Sequence, residues 1–467
     1  MRYDVIIVGA GPAGIFAALE LARANGIRTL IIDRGPDIDR RDRKSGLLSG
    51  WGGAGAFSDG KLTLSPEVGG QLNTLLSEGE LRELLHEVDR MWLEYSGPLK
   101  VYGTDQDAVA DIEHRAQLAG LKLIHSEVRH LGTEMCPTVL TQMRDALKEK
   151  VDVRMDTAIE HVLVCESESV DVEGTSDTPA AGSAPGSVCG VETASGERIE
   201  ADYVIVAPGR IGSDWLTREA TRLKLGLATN PVDIGVRVEV PAAVVQALTD
   251  VVYEPKLVYY TRSFDDKVRS FCVCPNGEVV VEKHNGVLSV NGHSYAKKKT
   301  PNTNFALLVS TSFTEPFHEP ITYGRYVASL ANLLSEGVIV QRLGDLESGR
   351  RSTAARIERG LTVPTLAEAV PGDLSFVLPY RHLCGILEML YAMDRLAPGV
   401  AGPHTLLYGV EVKFYSSRPD LSPTLETRIR NLFAVGDGAG ITRGLVQSSA
   451  SGVIAAREIR RRVGLLR

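Results

Sequence analysis

Residues 3–33 constrain the fold more than any other stretch of the chain. Asp4-Val5-Ile6-Ile7-Val8 reads as a buried strand, followed by the turn Gly9-Ala10-Gly11-Pro12-Ala13-Gly14. Ile15, Ala18, Leu19, Leu21 and Ala22 recur at helical spacing, and Gly26 stops that helix. A second apolar strand, Thr29-Leu30-Ile31-Ile32, ends on Asp33. This is a βαβ unit with G-x-G-x-x-G between strand and helix and an acid nineteen positions after Gly14. Gly9 permits the tight turn, Gly11 admits a pyrophosphate against the backbone, and Gly14 lets the helix pack on the strand. The pyrophosphate faces the N–H groups at the helix N-terminus, and Asp33 accepts ribose hydroxyls. A glycine-rich turn alone is weak evidence. With both strands, the helix and the acid in place, the stretch predicts dinucleotide binding rather than a purely structural turn.

The rest of the chain decides which dinucleotide. At 467 residues it can bury a large core and predicts two domains. Apolar content of 43% and charged content of 24% are those of an ordinary globular protein. No run of eighteen apolar residues predicts a membrane span, and the first residues read as strand rather than as a signal peptide. A net charge of −8, without a basic stripe, argues against nucleic acid as a partner. A cytoplasmic protein acting on a small molecule is expected.

Six cysteines are scattered, and we expect reduced thiols held mostly in the core. The one close pair is C-x-C, Cys272 and Cys274, which we read with side chains facing apart; no second pair completes a zinc site. A disulfide-reductase chemistry therefore has no pair of thiols assigned to it by spacing.

A charged segment, residues 37–44, reads as a solvated loop. The stretch Gly52-Gly53-Ala54-Gly55-Ala56-Phe57-Ser58-Asp59-Gly60-Lys61-Leu62 suits neither helix nor strand. Bare backbone of this kind fits where a flat ligand lies against it, with a flexible surface loop as the competing reading. Residues 66–150 are mostly helical, and His130 reads as a local hydrogen-bonding residue. Alternation from Ile159 to Asp202 predicts an antiparallel meander with a flexible tip at Ser167–Ser187. The buried strand Tyr203–Val206 then leads to a small-residue turn at Gly209. A β-rich texture over 232–372 suggests an insertion carrying a substrate site. There Arg350 and Arg351 are candidates to hold a substrate carboxylate, against an equal case for a surface loop. Near the C-terminus, Leu432-Phe433-Ala434-Val435 runs into Gly436-Asp437-Gly438-Ala439-Gly440, placing Asp437 to contact a ribityl or ribose hydroxyl. Gln447, Ser448 and Ser449 follow it closely enough to reach the same ligand.

The motif at 4–14 with Asp33, V-I-V-A-P-G at 204–209 and F-A-V-G-D-G-A-G at 433–440 together resemble FAD-dependent oxidoreductases of the glutathione-reductase-like superfamily. The resemblance implies that Gly9, Gly11, Ala13, Gly14 and Asp33 hold the ADP half of non-covalent FAD, and Pro12 and Arg34 are counted with the cofactor contacts. It puts Asp437 at the ribityl or phosphate region, with Gly209, Gly436, Gly438 and Ala439 as further cofactor contacts. The superfamily more often carries Glu where Asp33 stands. Over nearly the whole chain, the stretches at 52–62, 129–133, 271–279 and 349–353 are similar to a poorly characterised family of FAD-dependent, NAD(FAD)-utilising dehydrogenases.

No second G-x-G-x-x-G follows a strand, so NADH or NADPH, if used, binds transiently without a Rossmann domain of its own. The expected architecture is α/β: a Rossmann-type FAD-binding domain with a β-meander, plus an inserted α+β substrate domain. Its expected boundaries are 1–75, 120–228 and 375–467 for the FAD domain, 76–119 as a helical excursion, and 229–374 for the insertion. Gly53, Ala54, Ser58, Asp59 and Lys61 join the cofactor contacts, and Lys61 is also the candidate to stabilise an anionic reduced ring. The expected reaction is a two-electron oxidation or reduction of a small organic molecule. The alternatives are an NAD(P)H-using flavin monooxygenase and, more distantly, a non-catalytic FAD-binding or RNA-modification protein.

Overall fold

The computed structural model describes residues 2–41, 48–165, 186–228, 231–284, 286–295, 297–311, 320–413 and 418–466. It divides into two compact units, one of residues 1–98, 135–229 and 416–467, the other of 99–134 and 230–415.

The first unit is built on a seven-stranded sheet. Arg2–Val8 lies between Thr29–Ile32 and Arg198–Val206, parallel to both, and Asp152–Arg154 extends the parallel edge beyond Thr29–Ile32. Arg198–Val206 carries two partners along its other side. Its first half pairs antiparallel with Ser187–Thr193, and its second half pairs parallel with Leu432–Ala434. The sheet therefore changes from meander to Rossmann topology within a single strand. Strands buried on both faces read as continuous apolar runs, and Val5, Ile6, Ile7, Ile31, Val204 and Ile205 are completely buried. The meander Ile159–Cys165, Ser187–Thr193 and Arg198–Val206 has the expected antiparallel order. Most of its expected tip lies outside the described residues.

The fingerprint helix Pro12–Leu21 packs on the C-terminal helix Leu445–Arg462. A β-carbon on Gly452 would stand 2.0 Å from the Ala13 carbonyl oxygen, so the two backbones meet there. Glu20, 1% exposed, lies in the same interface and pairs with Arg23 and Arg460.

The second unit holds an eight-stranded sheet. Val232–Pro241 lies near its centre, antiparallel to Asn302–Thr311 on one side and to Leu406–Lys413 on the other. Period-two alternation sorts its residues cleanly. Val232, Ile234, Val236, Val238 and Val240 join one apolar core with Ile112, Leu248, Ile386 and Met389 from the helices Gln106–Leu118, Ala242–Val252 and Tyr380–Leu396. Asp233, Arg237 and Glu239 face the other way, yet each is at most 2% exposed. Buried charges persist where they are paired and hydrogen-bonded. Arg237 forks onto Glu411 (2.8 and 2.9 Å) and also donates to Asn291 and Asn304. Glu239 accepts from Asn302, Thr365 and Tyr408. Asn291 belongs to the hairpin Glu278–His284 and Val287–His293, which covers this face.

Three expectations need correction. The sequence boundaries assign 375–415 and 120–134 to the first unit and leave 76–98 outside it. Leu406–Lys413 instead hydrogen-bonds to Val232–Pro241, and Lys122–Ile124 forms the edge of the same sheet. Helix Glu78–Ser96 belongs to the first unit, where Trp92 Nε1 donates to Ser449 Oγ. Second, Cys165 and Cys189 are disulfide-bonded rather than reduced. Strand pairing puts their Cα atoms 5.8 Å apart, within bonding reach, across a sequence gap of 24 that hides them. Third, Cys272 and Cys274 do not face apart, because residues two apart along a strand share a face; their Sγ atoms are 3.9 Å apart.

Candidate functional site: a dinucleotide cradle of converging glycine turns

In the first unit, turns far apart in sequence meet at the start of helix Pro12–Leu21. The packing is closest where glycines have no β-carbon. One on Gly9, at φ = +113°, would stand 2.1 Å from the Ala207 oxygen, and one on Gly14 would stand 1.9 Å from the Gly9 oxygen. Those two glycines serve the turn and the helix packing. Gly11 differs: the nearest atom to a β-carbon there is Gly53 Cα at 4.0 Å, which leaves room beside the backbone.

The second glycine-rich stretch closes on this turn. A β-carbon on Gly53 would come 3.1 Å from Gly11 Cα, and one on Gly55 would come 3.0 Å from Pro12 Cγ. The aspartate turn approaches from another side, with Gly436 similarly 3.1 Å from Ala13 Cβ and Gly438 2.3 Å from the Gly209 oxygen. Thus Gly9, Gly11, Pro12, Ala13, Gly14, Gly53, Gly209, Gly436 and Gly438 come together, as the sequence reading groups them. Ala54 is adjacent to Gly53 and Ala439 is fully buried in the aspartate turn.

The donor chemistry fits an anionic dinucleotide. Helix Pro12–Leu21 begins at Gly11 with no side-chain cap and no acid in its first turn. Helix Leu445–Arg462 begins at Gly444 in the same way. Two helices thus present first-turn N–H groups and positive dipole ends that their own side chains leave uncapped.

Asp33 is placed as expected but is more occupied than expected. Its Oδ1 accepts the N–H groups of Gly35 and Gly50, both at 2.8 Å, and Oδ2 accepts that of Ala10 at 2.9 Å. A carboxylate offers about four lone-pair sites, so one acceptor direction on Oδ2 remains beyond these three N–H groups. Arg34, next in sequence, is exposed. Burial pushes the Asp437 carboxyl up, while Arg443, Arg210 and the Thr442 hydroxyl at 3.0 Å pull it back.

Arg41 is a residue the sequence reading misses. It lies in the segment read as a solvated loop, yet its Nη1 donates to the carbonyls of Trp51 (2.6 Å) and Gly53 (2.8 Å). Its guanidinium sits 4.9 Å from the Phe57 ring centroid. Burial lowers its pKa to about 10, with Asp33 acting in the opposite sense. Nothing in its local sequence marks this role. Trp51 is fully buried and donates to the Leu140 carbonyl at 2.8 Å, which anchors the same end of the glycine stretch.

The remaining candidates are placed as follows. Lys61 is 9% exposed, with Nζ 2.9 Å from Asp59. Ser58 Oγ donates to the Gly55 carbonyl and shapes the turn. Gln447 donates to the Val68 carbonyl at 2.8 Å, and Ser449 accepts from Trp92; both hold packing within the unit. In the second unit, His130 Nε2 pairs with Ser294 Oγ at 3.1 Å beside Tyr253. Arg350 is half exposed with Nε on the buried Asp345 at 2.9 Å, and Arg351 is exposed. The two arginines do not form a joint clamp.

Residues 4–288 match the family described as FAD dependent oxidoreductase, and residues 231–414 match "FAD-dependent protein, C-terminal domain-like". The chain belongs to the FAD dependent oxidoreductase family. FAD is its cofactor, and it is an oxidoreductase. An uncharacterised protein of Clostridium beijerinckii is 26% identical across 97% of this chain and 80% of its own length. The tRNA uridine 5-carboxymethylaminomethyl modification enzyme MnmG of Endomicrobium trichonymphae is 26% identical across 44% of this chain and 25% of that enzyme. Among solved structures, L-proline dehydrogenase from P.horikoshii aligns over 100% of this chain and 99% of its own, at 12% identity and a TM-score of 0.41. No helix among the described residues is long and apolar enough to cross a membrane.

Proposed function

We propose that this oxidoreductase is a dehydrogenase or reductase of the glutathione-reductase-like superfamily, within its NAD(FAD)-utilising branch. The observation that carries this reading is the meeting of the turns at Gly11, Gly53 and Gly436 around two uncapped helix starts. In this reading the first unit holds the whole cofactor. Gly11 and Ala13 face the pyrophosphate, Gly14 lets the helix pack beneath it, and the open side of Asp33 Oδ2 takes a ribose hydroxyl. Asp437 takes a hydroxyl of the ribityl chain. The flavin ring, when bound, supplies the two-electron chemistry.

The chain's own residues position and polarise. Arg41 holds the Trp51–Gly53 backbone against Gly11, which fixes the surface on which the cofactor lies. Lys61, paired with Asp59, supplies a buried cation for negative charge that develops during reduction. The second unit offers the surface for a small organic substrate, with exposed Arg351 rather than Arg350 as the group able to meet a carboxylate. NADH or NADPH acts as a transient partner, and the cytoplasmic placement belongs to this same reading.

Turnover under isotope-labelled oxygen tests it. A dehydrogenase or reductase leaves the organic product unlabelled, whereas label in the product means a monooxygenase and overturns the reading.

A further inference from the structure

The strand Lys267–Cys274 is irregular where its two cysteines lie. Phe271 pairs with Ala306 and Cys274 with Asn304, so three steps along one strand match two along its partner. One residue is therefore extra, and Cys272 absorbs it at φ = +48°. That left-handed conformation costs a non-glycine residue about 1–2 kcal/mol. Neither residue of the bulge is glycine or asparagine, which would meet the geometry at lower cost.

The bulge has a chemical consequence. Same-face residues of a regular strand stand about 6.6 Å apart, from a rise of about 3.3 Å per residue. A disulfide needs β-carbons about 3.8 Å apart. A C-x-C pair in a flat strand therefore cannot close. Here the kink brings Cys272 Sγ and Cys274 Sγ to 3.9 Å, with Cys274 Sγ also donating to the Cys272 carbonyl at 3.4 Å.

A buried cation adjoins the pair. Arg237 Nη1 donates to the Cys272 carbonyl at 2.8 Å. A β-carbon built on Gly292 would meet both Arg237 Nη1 at 2.7 Å and Cys274 Sγ at 3.0 Å, so cation and sulfur border one small space that glycine leaves open. The carboxylate of Glu411 is shared between Arg237 and Lys413, so it offsets only one of those two cations. Each sulfur interacts electrostatically with Arg237, and the thiolate rather than the thiol is the nucleophile.

We propose that Cys272 and Cys274 are a redox-active dithiol that exchanges electron pairs with low-molecular-weight disulfides. Cys272, partly exposed, is the attacking thiol, and Cys274, buried, is the resolving one. The Cys272 thiolate attacks one sulfur of RS–SR. That bond breaks, a Cys272–S–SR mixed disulfide forms, and the first RS⁻ leaves to take up the proton that Cys272 released. The Cys274 thiolate then attacks the Cys272 sulfur, the Cys272–Cys274 bond forms, and the second RS⁻ leaves with the Cys274 proton. Two protein thiols are oxidised and one external disulfide is reduced to two thiols. An external dithiol reverses the sequence.

The test uses the full-length FAD-loaded protein, reduced, desalted and incubated with oxidised glutathione. It is then quenched in acid, alkylated, digested and examined by mass spectrometry. The peptide bearing both cysteines should lack two hydrogens and resist alkylation, and dithiothreitol should restore alkylation at both. The C274S variant should retain one glutathione on Cys272, and C272S should retain none on Cys274. Wild-type protein with both cysteines still alkylated, or with a lasting glutathione on Cys272, overturns the proposal. The wild-type peptide decides by itself, so the test stands even if either variant fails to fold.

Discussion

The carboxylate of Asp33 accepts the backbone N–H of Gly50 at 2.8 Å, joining the end of the second strand to the start of the second glycine-rich stretch. With Gly35 and Ala10 on the same carboxylate, one side chain fixes three segments of the cradle. Removing it leaves three N–H groups in a buried setting without their acceptor. D33A is therefore expected to weaken FAD binding by about 2–4 kcal/mol, from charged hydrogen bonds of about 1.5–3 kcal/mol each with partial relaxation. Fluorescence titration of apoprotein with FAD measures it. An unchanged affinity would remove Asp33 from the cradle.

Gly452 tests the frame behind the cradle. Its missing β-carbon lets the C-terminal helix approach Ala13. The obstruction is backbone, which cannot rotate aside, so G452A is expected to destabilise the folded protein by about 1–3 kcal/mol and to lower its FAD content. Thermal unfolding with and without added FAD reads both effects.

Arg41 gives a sharper separation of positioning from charge. R41A removes two hydrogen bonds to the Trp51 and Gly53 carbonyls, and FAD affinity is expected to fall about tenfold or more. R41K keeps a charge but not the planar fork, and should recover only part of that loss. Equal affinities for R41A and wild type would mean the glycine stretch holds its shape unaided.

His382 predicts a pH dependence in the second unit. Its Nε2 lies 2.9 Å from Thr311 Oγ1, Nδ1 has no partner among the described residues, and burial lowers its pKa to about 4. The unfolded chain takes up a proton near pH 6.5 that the folded protein refuses until about pH 4. Stability should therefore fall as the pH drops through that window, by on the order of 3 kcal/mol for this group. H382Q should flatten that part of the curve, as followed by denaturant unfolding between pH 7 and 4.

The sequence made some of this legible for clear physical reasons. Residues 3–33 announce their fold because strand period, helix period and glycine positions all agree, and the aspartate turn at 436–440 follows a strand as plainly. What stayed hidden depends on long-range pairing. Arg41 reads as one more charge in a polar loop until the fold brings Trp51 and Gly53 to it. The strand Leu406–Lys413 carries no label saying that it belongs beside Val232–Pro241. Cys165 and Cys189 are separated by 24 positions, and only strand pairing makes them neighbours. The bulge at Cys272 has no glycine to advertise it.

Lys61 tests the chemical half of the account. K61M removes the buried cation that faces Asp59. The rate of flavin reduction is expected to fall by about tenfold or more, about 1.4 kcal/mol in the barrier, with FAD content unchanged. Loss of FAD with an unchanged reduction rate in the protein that retains it would leave Lys61 as a binding residue alone.

The most direct measurement of the central claim is flavin stoichiometry combined with anaerobic reduction of the purified protein. FAD should be released by acid denaturation alone, at one per chain. NADH, NADPH or a member of a panel of small organic donors should bleach its visible band. A protein that yields no FAD, or whose FAD none of these reduces, would contradict the account.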